Sequence, residues 1–190
     1  DGSEWAGAGN WDLMAGGSWN DGGNTPARPA GLHLAQHKWV KVVDITATKR
    51  GIKLPPYDKS KAVILRVRSE AYSSTQCLII ENRARRGFDA KLPGSGVLVW
   101  RVDTDLEQVS ADAPAMLLLQ ADGRHNLESP SDMNLGNLGD PFPGRTGKKR
   151  SLGDTGKLST SFPGTRSGIR LANIKVARAT KQATLDIVIK

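Results

Sequence analysis

The sequence predicts an α+β fold that is mainly β, with one short helix early in the chain followed by an antiparallel or mixed β-sheet or sandwich. Three observations support this. Seven glycines fall within the first 25 residues, which marks an irregular opening stretch. Apolar residues recur at helical spacing between Ala30 and Trp39, after a proline suited to a first turn. From Val40 onward the period changes to two, in short segments rich in branched side chains, which is a strand pattern.

In chain order, residues 1–39 form a Gly/Trp-rich loop and the short helix, and residues 40–190 form the β-rich portion, the whole reading as one incomplete domain. Trp5, Trp11 and Trp19 are costly to leave in water, so the loop is expected to lie folded against a larger body. Strands are expected near Val40 to Thr46, Lys61 to Arg68, Gln76 to Asn82, Gly96 to Val102, Ala115 to Ala121, Ile169 to Val176 and Ala183 to Ile189. In the second of these, Val63, Leu65 and Val67 face one way and Lys61, Arg66 and Arg68 break up the other face, giving a half-buried strand. Leu78-Ile79-Ile80, Val97 to Trp100 and Met116 to Leu119 are apolar on both faces, as central strands are. Between Ile169 and Val176 the alternation slips by one residue, which predicts a bulge near Ala172-Asn173. Residues 131–162 are rich in Gly, Pro, Asn, Asp and Ser and read as a long irregular loop, a kind of segment that is commonly functional or mobile.

Hydrophobic residues make up 38% and charged residues 24% of the 190, a composition that builds a core and argues against wholesale disorder. No window is long and apolar enough for a membrane-spanning helix, and Asp1-Gly2-Ser3-Glu4 has neither the basic start nor the apolar run of a signal peptide. Of the net charge of +8, residues 145–190 account for +9, with 11 basic and 2 acidic side chains. Such a segment attracts polyanions through long-range electrostatics. The single cysteine, Cys77, excludes an internal disulfide and a Cys-based zinc knuckle.

The most specific strings run from Gly9-Asn10-Trp11-Asp12-Leu13-Met14 through Gly16-Gly17-Ser18-Trp19, with Pro29, His33 and Lys38 after them. Further on come Glu81-Asn82-Arg83, Gly87-Phe88-Asp89, Leu92-Pro93-Gly94-Ser95-Gly96, Trp100-Arg101-Val102-Asp103, Leu119-Gln120-Ala121-Asp122-Gly123 and Gly139-Asp140-Pro141-Phe142-Pro143-Gly144. In this order, over residues 9–176, they resemble the immune inhibitor A family of secreted bacterial zinc metallopeptidases. The resemblance implies a metzincin-like architecture in which Met14, with Trp11 and Asp12, forms the methionine turn beneath the zinc site. It also implies an extracellular metalloendopeptidase acting on protein or peptide substrates. Taken alone, Met14 reads as a core methionine; the flanking Gly-rich and Trp-rich sequence reverses that preference.

The chain departs from the family at the metal. A His-Glu-x-x-His helix supplies two zinc ligands and the glutamate that activates the bound water, and no such string occurs here. The resemblance places that helix just upstream of the methionine turn, so the sequence reads as the downstream part of a catalytic domain. Zinc is expected only together with that upstream part, and this chain alone is expected to be inactive.

His33 and His37 stand four apart on the expected helix and could hold one ion in geometry, but Leu34 occupies the place of a general base and His125 lies far along the chain. A surface pair is the preferred reading, with His33 hydrogen-bonding a buried carbonyl or carboxylate. Asp132, Asn134 and Asp140 are oxygen donors that an irregular calcium site would use, against the preferred reading of Asx turns. Leu92 to Gly96 reads as a turn, since no helix or P-loop lysine follows it. The basic runs Arg83, Arg85, Arg86 and Lys148, Lys149, Arg150 read as solvated loop charge without interleaved aromatic residues. The rival function, from a different class, is a non-catalytic β-rich module that binds a polyanion through the basic carboxyl-terminal segment.

Overall fold

A computed structural model describes residues 6–57, 62–106, 114–129 and 134–190. Trp5 and Asp132 lie outside the described residues. The elements are α1 (Gly31–Gln36), β1 (Lys41–Ile45), β2 (Lys49–Leu54), β3 (Val63–Val67), β4 (Gln76–Arg83), β5 (Gly96–Asp103), β6 (Met116–Leu118), β7 (Ile169–Val176) and β8 (Ala183–Ile189). Short 3-10 segments occupy Gly9–Trp11, Gly16–Gly23, Gly87–Lys91 and Asn126–Glu128.

Two sheets result. One has five strands in the order β1-β3-β4-β5-β6, and the other has three in the order β2-β8-β7. The β1/β3 pair is parallel and every other pair is antiparallel. A parallel pair needs a crossover, and β2 provides it by leaving for the second sheet between the two strands.

The strands carry apolar side chains on two faces, so the five-stranded sheet sits between two cores. On one face Leu65, Leu78, Ile80, Val97 and Val99 meet Leu171, Ile174, Leu185 and Ile187 of the second sheet. On the other face Ile64, Ile79, Leu98, Trp100 and Leu118 meet Trp11, Ala30 and Leu34 of the amino-terminal stretch. The molecule therefore has three layers: loop and helix, mixed sheet, antiparallel sheet. Gly31 sets the contact of α1 with the middle layer. A Cβ there would lie 3.0 Å from Ile79, 3.1 Å from Ile64 and 3.2 Å from the Tyr57 hydroxyl.

Seven strands and the helix fall where the sequence places them, and so does the bulge. The register of β7 against β8 shifts between Ala172 and Lys175, with Asn173 at φ 53°. Four expectations need correction. β2 is an additional strand, hidden because Lys49, Arg50 and Lys53 surround Gly51, whose φ of 62° breaks the alternation. The strand over Val63–Val67 is not half-buried at its centre, because α1 covers Ile64 on the second face. β6 is an edge strand of its sheet, although all three of its residues are buried. Trp19 does not pack against the body and is 76% exposed. Positive φ at Asp21 and Gly22 kinks the segment and turns Asn20 inward, where its Nδ2 donates to the Asn10 carbonyl at 3.1 Å.

The irregular stretch after residue 134 is tied into both sheets. Phe142 exchanges two backbone hydrogen bonds with Val97, at 2.8 and 2.9 Å, and Leu152 exchanges two with Leu171, at 2.8 and 3.0 Å. Its aromatic residues, Phe142 and Phe162, are buried.

Candidate functional site

The Trp11-Asp12-Leu13-Met14 turn is built around one buried carboxylate. Oδ1 of Asp12 accepts the Met14 N–H at 3.2 Å and the Ala30 N–H at 2.9 Å. Oδ2 lies 3.0 Å from His33 Nδ1. One side chain thus fixes the turn, the start of α1 and the imidazole on its first turn. Burial opposes the charge of Asp12, but the His33 hydrogen bond, the His33 charge and the two backbone N–H groups together hold its pKa below the ordinary value. The same hydrogen bond raises the pKa of His33 against the opposing effect of burial.

Met14 itself is 72% exposed and is not a core methionine. It lines a cleft of about 850 Å³ together with Asp12, His33, Leu32 and Gln36 on one side and Val102, Leu106 and Met116 on the other. The floor comes from the amino-terminal turn, and the far wall from the end of β5 and the start of β6.

Beneath the turn lies a polar network that links the strings quoted from the sequence. Arg83, fully buried, donates from Nε and Nη2 to the two carboxylate oxygens of Asp89 at 2.8 and 2.6 Å. Its remaining donors reach the Trp11 carbonyl at 3.2 Å and the Arg28 carbonyl at 3.1 Å. Asp89 also accepts the Arg28 N–H at 3.0 Å. Glu81 lies 3.6 Å from Arg83 and accepts Trp100 Nε1 at 2.6 Å. Burial pushes Glu81 above the ordinary carboxylate range, although Arg83 opposes the shift. Reading Arg83 as solvated loop charge therefore has to be corrected; only Arg85 and Arg86 of that run are exposed. The overlooked signal is an arginine closing an apolar strand with an aspartate six residues on, a spacing a short loop turns into a bidentate pair.

The carboxyl-terminal loop joins the same network. Trp11 Nε1 donates to Asp140 Oδ2 at 3.0 Å, and Asn137 donates to Asp140 from its backbone N and Nδ2 at 2.8 and 3.1 Å. Gly136 is required beside the indole, since a Cβ there would lie 2.6 Å from Trp11 Nε1 and φ is 120°. Of the oxygens considered for calcium, those of Asp140 and Asn134 are thus engaged by N–H groups; Asn134 Oδ1 accepts the Gly136 N–H at 2.8 Å in an Asx turn.

The two helix histidines are not brought together as ligands. His33 commits Nδ1 to Asp12, and His37 stacks on Trp39 with ring centroids 4.8 Å apart. His125 pairs with Glu128 at 3.0 Å. Among the described residues no group of three His, Cys, Asp or Glu side chains is placed to hold a metal ion, so a zinc ion does not fit these residues by themselves. What they fit is the floor of a cleft: an exposed thioether and an oriented imidazole above a rigid polar base. No protein-family model matches the chain, and no curated protein matches it.

Proposed function

We propose that this chain forms the floor and one wall of the substrate cleft of a secreted zinc metallopeptidase resembling the immune inhibitor A family, with Met14 in its methionine turn. The observation that carries the reading is Met14 standing exposed in a large cleft while Asp12, two residues before it, is buried and held by two backbone hydrogen bonds and an ion pair with His33. An apolar side chain carried into the open on a fixed backbone turn suits contact with another surface better than packing within its own core. A soft, unbranched thioether suits the irregular underside of a metal-binding helix.

The zinc ligands and the glutamate that activates water belong, in this proposal, to the upstream segment that the resemblance places before the turn. Zinc held there would polarise the scissile carbonyl and activate water. The residues of this chain would position that segment: Asp12 orients His33, and Arg83 with Asp89 holds the turn carbonyl at Trp11 in place. The 190-residue chain alone is expected to show no peptidase activity.

The test is to express the chain with the coding sequence that precedes it and measure zinc per molecule and casein hydrolysis with and without a chelator. One zinc per chain and chelator-sensitive hydrolysis by the longer protein, with neither in the 190-residue chain, are expected. Zinc-free, inactive longer protein, or chelator-sensitive hydrolysis by the 190 residues alone, would overturn the proposal.

A further inference from the structure

The three-stranded sheet has a second face, turned away from the core and lying on the opposite side of the mixed sheet from the cleft. Ile52 and Leu54 of β2, Leu185 and Ile187 of β8, and Ile169, Leu171 and Ile174 of β7 point into the core. Their neighbours point outward. Thr184 of β8 pairs with Lys53 of β2 on one side and Lys175 of β7 on the other, so the two lysines stand in one row, about 10 Å apart across two strand spacings. The bulge at Asn173 brings Arg170 to the same face as Lys175: both are exposed although they stand five positions apart, an odd offset that regular alternation would put on opposite faces. Lys49 of β2 pairs with Ile187, which faces the core, so the next residue, the exposed Arg50, falls on this outward face as well. Asp186 is the acidic residue of the patch, and it is occupied by the Gly51 N–H and Asn173 Nδ2, each at 2.7 Å.

We propose that this face binds a linear sulfated polysaccharide, independently of the metallopeptidase reading. Four cations against one internally engaged carboxylate make a positive surface, and point charges about 10 Å apart in one row suit a chain with sulfate groups along its length. Two of the four, Arg50 and Lys53, come from β2, outside the basic carboxyl-terminal segment, so the sheet gathers charge that the sequence keeps 120 residues apart. Single-stranded nucleic acid fits less well because it needs exposed aromatic side chains for stacking, and the aromatic residues after residue 134, Phe142 and Phe162, are buried. Duplex DNA is read by an element entering a groove, and the face offers strands lying flat.

The experiment measures binding of heparin to the 190-residue chain across a salt series, with a short DNA duplex as a parallel probe. Variants are K53E/K175E on the face and K148E/K149E, which makes the same charge change in a loop. K53A/K175A serves if charge reversal lowers the melting temperature. The face variant should lose about tenfold or more in heparin affinity with a shallower salt dependence, while the loop variant loses clearly less and both melt as the parent does. Equal losses in the two charge-reversed variants would reduce the effect to net charge and overturn the proposal. So would the absence of heparin binding by the parent, or tighter binding of the duplex than of heparin.

Discussion

Trp11 and Asp140, 129 positions apart in the chain, are joined by a 3.0 Å hydrogen bond from the indole Nε1 to the carboxylate, with both side chains fully buried. The bond ties the amino-terminal turn to the irregular carboxyl-terminal loop, and it makes the turn sensitive to the state of that loop.

Burial pushes the Asp140 carboxyl up to about 6, although the N–H groups of Asn137 and Trp11 favour its charged form. A carboxyl whose pKa is raised on folding contributes stability that is complete below the unfolded value near 3.8 and is lost as pH rises through the folded value. Relative to D140N, the parent should therefore lose stability between about pH 4 and pH 6, by no more than about 3 kcal/mol. Urea unfolding of both proteins at several pH values measures it. A parallel pH dependence in the two proteins would remove Asp140 as its source.

Arg83 holds Asp89 through two hydrogen bonds and lies beside Glu81, all three fully or nearly fully buried. Replacing it by Met leaves two acidic groups without their cation, so R83M should cost roughly 3 to 5 kcal/mol. R83K keeps the charge but loses the fork, and should fall between parent and R83M. Denaturant unfolding gives the order; a cost for R83M below that of R83K would contradict the geometry.

The Asp12–His33 pair has two signs. His33 has a raised pKa, so its contribution is complete below about 6.5 and is lost as pH rises through its folded value; Asp12 has a lowered pKa, so its contribution is complete above about 3.8 and is lost as pH falls through its folded value. The pair should stabilise the turn most between these limits. NMR titration should place the His33 ring above its ordinary value in the parent and return it in D12N. An unchanged titration in D12N would break the link.

Met14 and Gly31 should differ in their tolerance of small changes. M14L nearly conserves volume at an exposed position and should change stability by less than about 0.5 kcal/mol. G31A adds only a methyl group and improves helix propensity, yet that methyl meets Ile64, Ile79 and Tyr57 at 3.0 to 3.2 Å; a net loss of about 1 to 3 kcal/mol is expected. Thermal melts of the two variants provide the comparison, and a G31A protein more stable than the parent would mean that α1 sits farther from the sheet.

The site was partly legible. The resemblance singles out Asp12 and Met14 in the turn, and the sequence leaves open whether a buried carbonyl or a carboxylate partners His33; the structure gives a carboxylate, that of Asp12. Arg83 escaped because sequence places it in a run with Arg85 and Arg86, and only the fold separates the residue that closes a buried strand from the two that follow in the loop. Asp140 reads from sequence as an oxygen donor of the calcium type, since nothing in its local spacing points to an indole 129 positions away. Trp19 looked too costly to expose, but the kink at Asp21 and Gly22 decided its direction.

Periodicity, with a proline before the helix, determined the mainly β class, seven of the eight strands among the described residues, the position of α1 and the bulge at Asn173, because alternation and helical spacing are local and survive in one dimension. Tertiary structure alone decided the order of the strands, the division into two sheets, the buried Arg83–Asp89 base, and the gathering of Arg50 and Lys53 with Arg170 and Lys175 on one face. Those features depend on which distant segments meet, and such meetings are selected by burying apolar surface and satisfying buried polar groups over the whole molecule. The spacing of residues along the chain carries no direct record of that selection.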